Sequence, residues 1–159
     1  MRYEDARQWM RSGDLVLFRG RGLGCWIIRK VTRSRYAHAA VVWRVGTRVL
    51  LLESRVRTHG VAIGRPMSAA LDDGAAWIST SADWTPQAEA VALDRSLGQP
   101  YGWVDALRAA FGLRPTSRGL QCAEYAQEVL TAAGLHLRIL APTPEALAEA
   151  FGGPIALEG

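Results

Sequence analysis

The chain has 159 residues, of which 49% are apolar and 21% charged. That suits one globular domain, 1–159, with its own core, and excludes a disordered chain. No run approaches the ~18 consecutive apolar residues of a membrane-spanning helix. The opening MRYEDARQWM has Glu4 and Asp5 where a secretory signal carries a basic and then an apolar stretch, so the expectation is a protein that is cytoplasmic as synthesised.

In chain order, residues 4–11 read as a short helix, SGD at 12–14 as a turn holding Asp14, and LVLF at 15–18 as a buried strand. GRGLG at 20–24 lacks the strand–helix context and spacing of a dinucleotide loop and reads as a turn. CWIIRKVT at 25–32 is apolar and leans to helix. HAAVVWR at 38–44 and VLLLES at 49–54 flank a short connection and predict a β-hairpin. VAIG at 61–64 and AAWIST at 75–80 are further strands. Thr85-Pro86 opens a helix that should run to Gly98, and 104–111 is a second helix. Residues 122–133, stopped by Gly134, are a third, with the apolar stripe Cys122, Tyr125, Ala126, Val129, Leu130 and Ala133. Thr143-Pro144-Glu145 opens a last helix ending near Gly152. The fold class is α+β, a small antiparallel sheet or partial barrel packed against helices.

Charge divides the chain. Residues 1–65 carry 14 basic side chains against four acids, and residues 66–159 five against 11. The basic half is either a solvated face or an anion-binding surface. Its arginines are dispersed and form no nucleic-acid motif, so no nucleic acid is expected as a partner. Two cysteines cannot make a four-ligand zinc site, and His38, His59 and His136 show no metal-ligand spacing. No metal or organic cofactor is expected. A Cys25–Cys122 disulfide is disfavoured in a reducing compartment, which leaves one reactive and one buried thiol.

Cys122 stands at the start of a helix, where free amides and the helix dipole stabilise a thiolate and a developing oxyanion. The other reading is a buried cysteine on an apolar stripe. His38 opens an apolar strand and is either a hydrogen-bonded structural residue or the base that a thiol nucleophile needs. If the hairpin turns on Gly46-Thr47, paired residue numbers sum to 93 and Glu53 lies opposite Ala40. Glu53 then shares the face of His38 and stands one diagonal step away. A slip of one residue would break that relation and leave Glu53 a charge at a strand end. Tyr101 in QPYGW and Gln121 beside Cys122 are weaker candidates for contacting a substrate carbonyl. His59 and His136 have no assigned role.

Taken together, SGDLVLF, YAHAAVVW, LLES, GQPYGW, LQCAEYAQEVLTAAGL and PTPEALAEAF resemble the circularly permuted branch of the NlpC-type papain-like cysteine peptidases, in particular the YiiX/YaeF-like group. The order, histidine strand first and cysteine helix last, is more specific than any one piece. The resemblance implies a papain-like core and an amidase or peptidase acting on cell-wall peptides. It implies Cys122 as nucleophile, His38 as general base, Glu53 as the residue orienting the imidazole, and Tyr101 lining the site. Ala123 stands where the family often has Ser after the Cys. Two other functions stay open. One is a lecithin-retinol-acyltransferase-like acyltransferase or thioesterase on lipid esters, with Trp26, Trp43 and Trp103 lining a channel. The other is a non-catalytic module binding peptidoglycan fragments or nucleic acid through the basic half.

Overall fold

The structure is a computed structural model, and it describes residues 1–55, 60–94 and 122–159. The predicted helix at 104–111 lies outside these residues, as does the end of the helix expected to reach Gly98. The elements are α1 (Tyr3–Ala6), β1 (Leu15–Phe18), α2 (Leu23–Val31), β2 (His38–Val45), β3 (Arg48–Arg55), β4 (Gly60–Pro66), a 3-10 helix (Met67–Asp73), β5 (Ala75–Ile78), α3 (Pro86–Asp94), α4 (Cys122–Ala132), α5 (Pro144–Phe151) and β6 (Ile155–Ala156). Six strands form one open antiparallel sheet in the order β4-β3-β2-β1-β5-β6, packed against helices.

Alternation along the strands builds two cores. Leu15, Leu17, Ala39, Val41 and Leu52 face one way, against Tyr125, Ala126, Val129 and Leu130 of α4 and Leu147 of α5. Val16, Phe18, Ala40, Val42 and Leu51 face the other way, against Tyr3, Ala6 and Met10 at the N-terminus and Met67 of the 3-10 helix. The stripe read on the 122–133 helix is buried throughout. Tyr125 donates its hydroxyl proton to the Ala92 carbonyl at 3.0 Å and so ties α4 to α3.

The β2–β3 hairpin has the two-residue Gly46-Thr47 loop, with Gly46 at φ +59° in the first loop position. Val45 pairs with Arg48 and Val41 with Leu52, the register in which paired numbers sum to 93. Other elements differ from expectation. The N-terminal helix covers only Tyr3–Ala6 rather than 4–11. The chain becomes helical at Leu23, inside the segment read as a Gly/Arg turn. β5 stops at Ile78 because Thr80 leaves the ladder: its hydroxyl donates to the Gly13 carbonyl at 2.7 Å and its amide to Asp14 Oδ1 at 3.3 Å. Asp14, read as a turn residue, is buried there and also accepts from the Trp77 indole at 2.9 Å.

Between Leu51–Arg65 and Glu53–Ala62 the β3–β4 register shifts by one. One residue of β3 there faces two of β4, a β-bulge, and Gly64 takes it up with φ +79°. Arg65 lies opposite Leu51, so it falls on the face of Glu53. At Gly64 an added Cβ would meet only Leu50, at an ordinary 3.8 Å, so the strain of a substitution is in the backbone. Gly64→Ala should therefore lower stability by about 1 kcal/mol, read as a lower urea midpoint at unchanged m-value. An unchanged midpoint would show that the bulge does not need glycine.

Candidate active site

His38 is the first residue of β2 and pairs with Phe18, whose ring lies 5.9 Å from the imidazole, centroid to centroid. The segment leading into β2 is held from α5. Glu145, in the first turn of that helix, accepts from the Arg35 amide at 2.6 Å and from its guanidinium at 2.7 Å. Thr143 caps the same helix by accepting from the Ala146 amide at 3.1 Å. The approach to His38 is thus fixed by a residue more than a hundred positions downstream.

His38 Nε2 lies 2.7 Å from Glu53 Oε2. Glu53 is fully buried, and Arg65 meets its other side, with Nε at 2.6 Å from Oε1 and Nη2 at 3.2 Å from Oε2. Arg65 in turn reaches Asp73 at 3.3 Å and lies 5.4 Å above the Phe18 ring. Burial alone would raise the Glu53 carboxyl. The hydrogen bond and charge of His38, together with Arg65, outweigh it and hold Glu53 below the usual carboxylate range.

Cys122 begins α4 and meets His38 at the end of β2. The pairing of β2 with β3 ends at Val41–Leu52, and beyond it the Ala39 amide hydrogen-bonds the Cys122 sulfur, as does the Ala123 amide from the first turn of α4. Burial alone would raise the thiol. The charge and hydrogen bond of His38, with those two amides, hold it below its ordinary value instead. On the imidazole, burial works against the charged form, but the charge and hydrogen bond of Cys122 and then those of Glu53 push His38 up to about 9. Both shifts favour a thiolate beside an imidazolium. Since Nε2 is engaged by Glu53, Nδ1 is the ring nitrogen left for the sulfur.

The structure therefore brings together Cys122, His38 and Glu53. Tyr101 and Gln121 lie outside the described residues, as do Trp103 and His59. Trp43 packs against the first core and Trp26 is half exposed on α2. Both cysteines are free thiols, with Cys122 buried. The sequence reading missed Arg65. Its signal was a basic residue just past an apolar strand and a glycine, which cannot be placed until the bulge is known.

No family model matches the chain, and neither does any curated protein. Among solved structures it is similar to the metalloprotein YiiX (DUF1105) from Escherichia coli O157:H7, with a TM-score of 0.60 and 16% identity, over 79% of this chain and 68% of that one. At that identity the likeness is one of fold. Among the described residues no group of three or more His, Cys, Asp or Glu gathers as a metal-ligand set, and both Glu53 oxygens are engaged by His38 and Arg65. No helix among the described residues is long and apolar enough to cross a membrane.

Arg65→Met removes a buried charge partner of Glu53 and should cost about 3 kcal/mol of stability. It should also raise the Glu53 pKa. Thermal unfolding and carboxyl titration by NMR measure the two effects. A variant as stable as the parent, with Glu53 titrating as before, would show that Arg65 is only a surface cation.

Proposed function

We propose that the protein is a thiol hydrolase of the permuted papain-like, NlpC-type kind. In this reading it cleaves an amide bond, with cell-wall peptides as the substrate class that the resemblance implies. The observation that carries the reading is the relay in which one imidazole meets a buried carboxylate at 2.7 Å and a helix-start thiol through its other face.

The chemistry follows from that arrangement. The Cys122 thiolate attacks the carbonyl carbon and forms a C–S bond, and the carbonyl electrons move onto oxygen. Backbone amides at the start of α4 stabilise that oxyanion. Imidazolium His38 gives its Nδ1 proton to the leaving amine, the C–N bond breaks, and an acyl-enzyme remains. His38, now neutral, takes a proton from water. The hydroxide formed attacks the thioester, and the thiolate leaves. Glu53 keeps the ring oriented and stabilises its charged form throughout.

Cys122→Ala should abolish amide hydrolysis of peptidoglycan fragments and remove the alkylation by iodoacetamide that persists at neutral and mildly acidic pH. Labelling that falls on Cys25 alone in the wild-type protein would overturn the assignment. So would binding of the fragments that survives the substitution with no turnover in the wild type.

The pH profile gives a separate test. A depressed thiol and a raised imidazole both place the working ion pair between their titrations. Activity should fall with acid as the thiolate is protonated, and with base as His38 loses its proton near about 9. Glu53→Gln should lower kcat/KM by about 10²-fold and move the basic limb toward neutrality. A basic limb left in place by Glu53→Gln would show that the carboxylate does not act through His38.

A further inference from the structure

α2 leaves part of its apolar surface uncovered. None of its residues is buried. Its most exposed apolar side chains are Leu23, Trp26 and Ile27, at 72%, 49% and 37%. With Lys30, also exposed, they occupy positions i, i+3, i+4 and i+7, which is one continuous face of the helix. Cys25, Ile28 and Arg29, on the other side, are half-buried. Leu23, Trp26 and Ile27 thus form an exposed apolar stripe, while Ile28 and Val31 lie half-buried on the inner side.

The segment around that stripe is rich in basic residues, with Glu145 of α5 paired to Arg35. Residues 19–37 contain Arg19, Arg21, Arg29, Lys30, Arg33 and Arg35 and no acid. Beside the helix lies a groove of about 450 Å³, lined by Arg19, Trp26, Arg29, Lys30, Arg33 and Arg35 among others. Among the described residues Arg21, Lys30 and Arg33 form no ion pair.

We propose that α2 docks the protein on the surface of an anionic lipid bilayer. Leu23, Trp26 and Ile27 would enter the boundary between headgroups and acyl chains. Arg21, Lys30 and Arg33, which form no ion pair among the described residues, would bind lipid phosphates, with the adjoining groove seating a headgroup. A tryptophan beside a short apolar stripe, fringed by the unpaired cations Arg21, Lys30 and Arg33 among the described residues, matches a bilayer interface. A protein groove would need a shape complementary to this convex, cation-fringed face and acids placed against each cation. A fluid anionic surface supplies both the apolar layer and the charge without either. The contact would be peripheral and reversible, and it does not depend on the thiol chemistry.

The test uses the full chain and cosedimentation with phosphatidylcholine vesicles, with and without an equimolar share of phosphatidylglycerol. The wild type should pellet with the anionic vesicles only and should be released as salt rises. Leu23→Ser combined with Trp26→Ser, and separately Lys30→Glu combined with Arg33→Glu, should each weaken binding by at least about tenfold. Both pairs are at exposed positions, and circular dichroism should show an unchanged fold. Wild-type protein left in the supernatant, or both variants binding like the wild type, would overturn the proposal. So would a wild-type dimer in sedimentation that Leu23→Ser with Trp26→Ser dissolves, because the stripe would then be a contact between copies.

Discussion

The arrangement turns on one buried carboxylate. Glu53 has no exposed surface, and an ionised carboxylate in that position is stable only against paired charge and hydrogen bonds. Arg65 supplies one side and His38 the other. The consequence passes along a chain of contacts. Arg65 helps keep Glu53 ionised, Glu53 favours the charged imidazole, and the charged imidazole favours the thiolate of Cys122. Glu53, His38 and Cys122 are each shifted by their neighbours, so these three titrate as one system rather than as separate groups.

The sheet explains how members from opposite faces can meet. His38 and Glu53 belong to the face with Phe18, Ala40 and Leu51, whereas α4 packs on the face with Ala39, Val41 and Leu52. In the middle of a sheet the two faces are separated by the backbone layer. They meet at the first residues of β2, beyond the end of its pairing with β3. The Ala39 amide, which the ladder would otherwise use, reaches the sulfur there, and the first turn of α4 brings a second amide. A site at a strand end thus draws on both layers. The Gly64 bulge serves the same corner by setting Arg65 on the face of Glu53.

Much of this was legible in the residues because local rules sufficed. The Gly46-Thr47 loop sets the hairpin register, and the register alone places Glu53 beside His38. The 3.6-residue stripe on 122–133 gives the buried face of α4. What was not legible depended on distant partners. Asp14 looks like a turn residue, and its burial against Trp77 and Thr80 needs β5 to be in place. Arg65 is read correctly only once a one-residue bulge is known, since a regular ladder gives no cue for it. Glu145 reaches Arg35 across 110 positions. Tyr101 and Gln121 fall outside the described residues, so their roles rest on the residues alone.

The basic first half of the chain resolves into two populations, and the division has a physical basis. Arg35 and Arg65 pair with carboxylates, and Arg44 donates to the Arg7 and Met10 carbonyls at 2.6 and 2.9 Å. These cations knit the N-terminal layers and the site. The second population clusters around α2, where Arg29 also ties back to the Gly20 carbonyl at 3.2 Å and so fixes the helix at its base. A helical moment measures only the segregation of apolar from polar side chains, not which side meets the core. At 122–132 the apolar stripe turns inward because the sheet lies beneath it; at 23–31 Ile28 and Val31 are half-buried while Leu23, Trp26 and Ile27 stay exposed. Charge then distinguishes the two cases. A core-facing helix can carry either sign on its wet side, whereas an exposed apolar stripe beside unpaired cations is complementary to an anionic interface.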